Sequence, residues 1–135
     1  MVRLLGVLAV FLAVALAGAA AALATSDTQS QNPALTVSVS LSPDVVAVGD
    51  TVAATESVTN TSSSKQVVQV VSTLTYPNGT TASTSTKVAL KPGETFSQSA
   101  SYTRDADDAA GTYTLTVSAT SRTGTSTAQA SVVYS

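Results

Sequence analysis

The chain has 135 residues, eight acidic and six basic, with no histidine and no cysteine, which is enough for one domain and hardly two. Lacking His and Cys, it is without the usual general base, the usual transition-metal ligands and the best nucleophile, and no disulfide can staple it. The slight acidic excess argues against nucleic acid, whose phosphates call for clustered Lys and Arg.

The opening stretch, MVRLLGVLAVFLAVALAGAAAALATS, offers one cation, Arg3, and then an unbroken apolar run from Leu4 to Ala24. Small residues end the run, and Ala22-Leu23-Ala24 reads as a cleavage site before Thr25. Residues 1–24 are therefore expected to be a helical secretory signal peptide. The alternative is an uncleaved membrane anchor through residues 4–24, since the run approaches the ~20 residues that a spanning helix needs. The expected location is secreted, periplasmic or cell surface. Residues 25–33, TSDTQSQNP, then read as a flexible polar lead-in.

From residue 34 to 135 the pattern has period two. ALTVSVSLSP alternates Leu35, Val37, Val39 and Leu41 with Thr36, Ser38 and Ser40, the pattern of a strand buried on one face. Pro43 and Gly49-Asp50 mark a turn, and TVAATESVTN follows with Val52, Ala54 and Val58 in phase. VVQVVSTLTY places Val68, Val70, Leu74 and Tyr76 on one side. Asn78-Gly79 predicts a hairpin with a type I′ turn, after which TTASTSTKVAL carries Val88 and Leu90. KPG turns the chain into ETFSQSASY, with Phe96, Ala100 and Tyr102. GTYTLTVSAT alternates Tyr113, Leu115, Val117 and Ala119, and TAQASVVY ends the chain. Seven strands in about a hundred residues, with a turn every ten or so, predict an all-β, seven-stranded antiparallel two-sheet sandwich. Its inward positions are mainly Val and Ala and its outward ones mainly Thr and Ser, a good filling for exposed strand positions because Thr is β-branched.

VGDTV, SVTN, VALKPGETF and AGTYTLTVSA together resemble the immunoglobulin-like and fibronectin-III-like modules of prokaryotic secreted and surface proteins, over roughly residues 34 to 134. The resemblance implies the sandwich fold and a structural, adhesion or protein-binding role without catalysis; a filament or matrix subunit, or an accessory or inhibitor domain of a secreted enzyme, is the alternative. Gly111 and Tyr113 stand where antibody-type domains carry Gly and Tyr of D-x-G-x-Y-x-C, with Ala109 in place of the Asp and Leu115 in place of the Cys. The resemblance thus implies aliphatic packing instead of a disulfide, and a tyrosine corner at Tyr113.

Candidate sites are few, and no catalytic residue, cofactor or metal ligand is assigned. Asp105, Asp107 and Asp108 crowd one loop: calcium takes six to eight oxygens, but D-x-D-D lacks an ordered ligand ladder, and Asp commonly caps turns. Turn-making is the expectation. If connections alternate between the ends, one end gathers Asp44, Asp50, Asn78, Arg104, Asp105, Asp107 and Asp108, with Arg104 partly neutralising the acids. The other gathers Lys65, Lys91, Glu94 and Arg122. Glu56 lies in phase with Val52, Ala54 and Val58 and so points inward. A bulge turning it outward, or partial exposure, is expected ahead of a Lys or Arg partner, because an unpaired buried carboxylate is costly. Ser62-Ser63-Ser64-Lys65 has no oxyanion-hole motif around it. Asn60-Thr61-Ser62 and Asn78-Gly79-Thr80 match the N-glycosylation pattern near strand ends where a glycan would be tolerated. TTASTSTK should lie at a sheet edge with Lys87 as its one charge, which suits strand addition by a partner or a second copy, the donor being the first strand with its lead-in.

Overall fold

The computed structural model describes residues 27–30 and 32–135, and the expected leader lies outside the described residues. Nine strands follow one another: β1 (Asp27–Ser30), β2 (Leu35–Ser42), β3 (Val45–Val46), β4 (Thr51–Asn60), β5 (Gln66–Thr75), β6 (Thr81–Leu90), β7 (Thr95–Thr103), β8 (Gly111–Ser121) and β9 (Gly124–Tyr134). One sheet runs β1-β9-β8-β5-β6, with β3 also on β9; the other is β2-β4-β7. All pairings are antiparallel except β3 with β9, so the sandwich is mixed, not wholly antiparallel.

The seven strands read from alternation are β2 and β4 to β9. The two additional strands have no such signature. β3 is two residues long, and β1 is a polar stretch within the segment expected as lead-in. Both lie against β9 through backbone pairing, and β3 adds the buried Val46 to the core. Asn32, also in that segment, is buried. Its amide nitrogen donates to Ser121 Oγ and to the Gly124 carbonyl, and its Oδ1 accepts from the Ala34 amide and the Thr123 hydroxyl.

The core forms where inward residues of the two sheets meet: Val37, Val39, Val58, Val68, Val70, Leu115 and Val117 are all buried. Each fully buried Val contributes roughly 1.5–3 kcal/mol, so cohesion rests on many modest side chains. Outward positions are paved with paired hydroxyls: Ser38 with Ser57 at 2.6 Å, Thr59 with Thr95 at 2.8 Å, Thr114 with Ser131 at 3.0 Å and Thr120 with Thr125 at 2.9 Å. Such cross-strand Thr and Ser pairs each stabilise a sheet by a fraction of a kcal/mol, about 0.2–1.

The β5–β6 hairpin forms, but its turn is not type I′. Asn78 keeps a negative φ, and Gly79 alone is positive at 87°. The Gly79 amide donates to the Tyr76 carbonyl. Pro77 sets the φ of the first central position, which yields a type I turn followed by a left-handed glycine, the three-residue hairpin solution.

Candidate functional site

The connections do sort to two ends. At the acid-rich end, the Gly49 amide donates to the Arg104 carbonyl and the Arg104 amide to the Asp50 carbonyl, tying the β3–β4 and β7–β8 loops together. Arg104 is buried, and its Nη1 donates to the carbonyls of Val46 at 2.7 Å and Ser135 at 2.6 Å. Its guanidinium carbon lies 4.8 Å from the centre of the Tyr134 ring, within cation–π reach. Tyr134 packs on Tyr113 with centroids 4.4 Å apart, and Tyr113 meets Tyr76 edge-on at 6.2 Å. The Tyr113 hydroxyl donates to the Ala109 carbonyl at 2.6 Å, the bond of the expected corner. Burial raises the pKa of Tyr113, and the nearby Asp108 adds to the rise.

Two of the three loop acids cap the turn with their carboxylates. Asp108 is buried, and its Oδ2 accepts from the Asp105 amide at 2.9 Å and the Tyr102 hydroxyl at 3.0 Å. Asp105 Oδ1 accepts from the Asp107 amide at 3.1 Å, and Asp107 is exposed. Among the described residues no group of three or more His, Cys, Asp or Glu side chains could hold a metal ion. A depression of about 380 Å³ opens beside the loop, lined by Tyr76, Pro77, Asn78, Asp107, Ala109 and Tyr113.

At the opposite end Asn60 is wholly buried, which overturns the expectation that a glycan would be tolerated there. Its amide nitrogen donates to the carbonyls of Ser64 and Leu90, and its Oδ1 accepts from the backbone and hydroxyl of Ser62. Asn78, the other match, is exposed in the hairpin turn. The Ser62–Lys65 stretch builds this connection, and Ser64, Lys65, Gln66 and Arg122 line a shallow groove of about 570 Å³.

The third cluster lies in the middle of the sandwich. β4 pairs without interruption with both neighbours, placing Glu56 opposite Val39 on β2 and Gln98 on β7. There is no bulge, and no Lys or Arg partner: Glu56 is 1% exposed and bonds to Ser72 and Gln98 instead. The Ser72 hydroxyl, from β5 in the facing sheet, lies 2.9 Å from Oε1 and 2.8 Å from Oε2. Gln98 Nε2 donates to Oε1. Burial raises the Glu56 pKa above 4.5, and the bonds from Gln98 and then Ser72 oppose the rise. The proton is thus favoured where a bare carboxylate would be poorly solvated. Inward phase placed Glu56, but its partners escaped the sequence reading. Their signal was present: Ser72 is in phase with Val68, Val70 and Leu74, and Gln98 with Phe96 and Ala100.

β6 ends one sheet and β7 ends the other, and neither contains Pro. Lys87 is the one charged residue in these two strands. The opposite end of the larger sheet differs, because β1 and β3 lie along β9.

No family model matches the sequence, and no curated protein matches it. Solved structures do match. The CARDB domain of a Pyrococcus furiosus protein, in complex with di-metal ions, aligns at 21% identity and TM-score 0.55 over 78% of this chain and 90% of that one. The chain is a two-sheet β-sandwich. A β-glucuronidase from Bacteroides uniformis aligns at 18% identity and TM-score 0.54 over 76% of this chain and 14% of the enzyme. An alkylpurine DNA glycosylase from Pseudomonas fluorescens, bound to DNA containing an abasic site analog, aligns at 15% identity and TM-score 0.54 over 75% of this chain and 30% of that one. The chain therefore corresponds to only part of these two proteins. At such identities the likeness is one of fold alone.

Proposed function

We propose that this protein is an exported, non-enzymatic immunoglobulin-like module with a structural, adhesion or protein-binding role at or outside the cell surface. The observation that carries the reading is the distribution of polar chemistry. Outward strand positions are hydroxyl-paved, most charged side chains gather in loops at the two ends, and the open edge strands β6 and β7 are almost free of charge. Neutral edges without Pro invite backbone pairing with another strand. The Tyr113–Ala109 bond supports the immunoglobulin-like assignment, and the apolar run Leu4 to Ala24 with its small-residue end supports export. Expression of the full chain in a secreting host tests the first part. Mature protein outside the cytoplasm beginning at Thr25 is expected, and retention of the intact chain in the cytosol would refute export.

A second reading is self-assembly into a filament or matrix, favoured by the β6 edge. The candidate donor, β2 with the segment before it, is already paired, β2 along β4 and β1 along β9, so strand exchange would require its release from both. Light scattering of the mature protein across concentration and salt decides between the readings: a monomer at every concentration rejects assembly.

A further inference from the structure

The two ends of the sandwich carry complementary surfaces, and we propose that the β3–β4 loop of one copy docks into the Lys65–Arg122 groove of the next, joining copies end to end. This end contact rests on the self-assembly reading above, yet lies apart from the β6 edge. Among the described residues four large apolar side chains are exposed: Val45 (54%), Val48 (55%), Val67 (55%) and Val133 (40%). Scattered singly they would need no explanation, but three gather at the acid-rich end. Val45 lies opposite Val133 in the β3–β9 pairing, and Val48 follows in the loop to β4. Asp44 and Asp50 bracket this stretch of chain and are exposed. The fourth, Val67, is at the opposite end, where it lines the groove with Lys65 and Arg122, both exposed. One end thus offers valines flanked by two acids, and the other a valine beside two bases. Charge of opposite sign steers and orients such a contact, while the valines give it apolar area to bury.

Both surfaces are held in shape before any contact. In the loop, the Val133 amide donates to the Asp44 carbonyl at 2.8 Å, the Asp50 amide to the Ala47 carbonyl at 3.0 Å and the Gly49 amide to the Arg104 carbonyl at 2.9 Å. In the groove, Asn60 fixes Ser62 and Ser64 beside Lys65, and Asn32 fixes Ser121 and Thr123 on either side of Arg122. Prearranged surfaces lose little ordering entropy on docking. The β7–β8 loop is the poorer occupant, because two of its acids cap their own loop and it exposes no large apolar side chain.

The ten residues of β4 separate the β3–β4 loop from the groove end, roughly 33 Å at the rise of a strand, so a chain cannot fill its own groove. The contact joins unlike surfaces, and such heterologous contacts propagate into an open chain of copies unless the rotation closes a ring.

Sedimentation velocity of the mature protein and two variants tests the contact. Lys65→Gln with Arg122→Gln removes the bases of the groove, and Asp44→Lys with Val48→Lys turns the loop against it. The wild type should gain mean mass with concentration. Its association constant should fall about tenfold or more between about 0.01 M and about 1 M salt, as the screening length shrinks from about 30 Å to about 3 Å. Each variant alone should stay monomeric, whereas an equimolar mixture should stop at pairs, because one variant keeps the loop and the other keeps the groove. Carbodiimide treatment of the assembled wild type should join Lys65 of one copy to Asp44 or Asp50 of the next, a result that needs neither variant to fold. Assemblies without that link, variants that assemble as the wild type does, or folded variants that fail to pair overturn the end contact and leave assembly through β6 standing. A wild type that is monomeric at every concentration and salt overturns both.

Discussion

Carboxyl groups occupy two contrasting regions of this molecule. In the β7–β8 loop three of them stand within four positions, and two are capped by backbone amides inside the loop. In the core a single one, Glu56, meets only uncharged partners, and burial raises its pKa. The difference lies in what surrounds each acid. A loop offers unpaired amides and water to a carboxylate, so ionised acids organise it cheaply. A sheet interior has its amides already committed to neighbouring strands, so an acid there must keep its proton or recruit side chains. Four experiments press on this contrast.

The largest effect is expected at the anchor of the loop. Arg104→Met keeps much of the apolar bulk over Tyr134 but removes the donor to the Val46 and Ser135 carbonyls. Losing two charge-assisted bonds, one of them to the buried Val46 carbonyl, should cost about 2–4 kcal/mol. Urea unfolding measures it, and a loss below about 1 kcal/mol, the size of a neutral surface bond, would mean that the loop is held by its acids instead.

Next comes the pH response of the core acid. Glu56 has a folded pKa raised above 4.5. The unfolded state therefore releases its proton first as pH rises, and the native state binds more protons in that window. Stability from this group is full below 4.5 and falls as pH climbs from there to the folded pKa, by about 1.4 kcal/mol per unit of difference. This is opposite in sign to the usual salt-bridged carboxylate. Glu56→Gln should remove that decline from a Tm-versus-pH series, and an unchanged slope would mean that Glu56 ionises in the folded protein as it does in the unfolded one.

The same contrast separates what the sequence could tell from what it could not. Alternation placed β2 and β4 to β9 because each has one apolar face, and it pointed Glu56 inward for the same reason. It could not find β1 or β3, which are defined by backbone pairing and carry no period of their own. Its place in the sequence makes Arg104 a neutralising loop charge, whereas its side chain reaches back to β3 and to Ser135. The glycosylation pattern suggests that Asn60 is a strand end open to solvent, but its amide is the hub of a buried turn. In each case the side chain's partners are remote in sequence or are backbone atoms, which residue patterns do not encode.

A smaller change tests the loop acid with the most bonds. Asp108→Asn keeps the shape but weakens acceptance from the Asp105 amide and the Tyr102 hydroxyl. A loss of about 1 kcal/mol is expected, the worth of charge in a bond to a backbone amide. It should show as a modest fall in Tm, and a stabilised variant would mean that like-charge repulsion among the loop acids outweighs the caps.

The smallest expected effect is none, and it bears on the loop's most suggestive alternative use. Calcium binds when six to eight oxygens can converge on one point. Here Asp108 Oδ2 is committed to two donors, Asp105 Oδ1 to the Asp107 amide, and Asp50 Oδ2 to the Ala47 amide. Asp108 Oδ1 is buried without a partner, but a single oxygen makes no cage, and Asp107 faces solvent. Recruiting the remaining acids would mean breaking the caps that set the turn, so the metal would have to replace what it removed. Adding millimolar calcium and then a chelator should leave the Tm unchanged, since a ligand at a hundred times its Kd would stabilise by about 2.7 kcal/mol. A rise of several degrees reversed by the chelator would show that the loop rearranges around an ion and that its acids are ligands first.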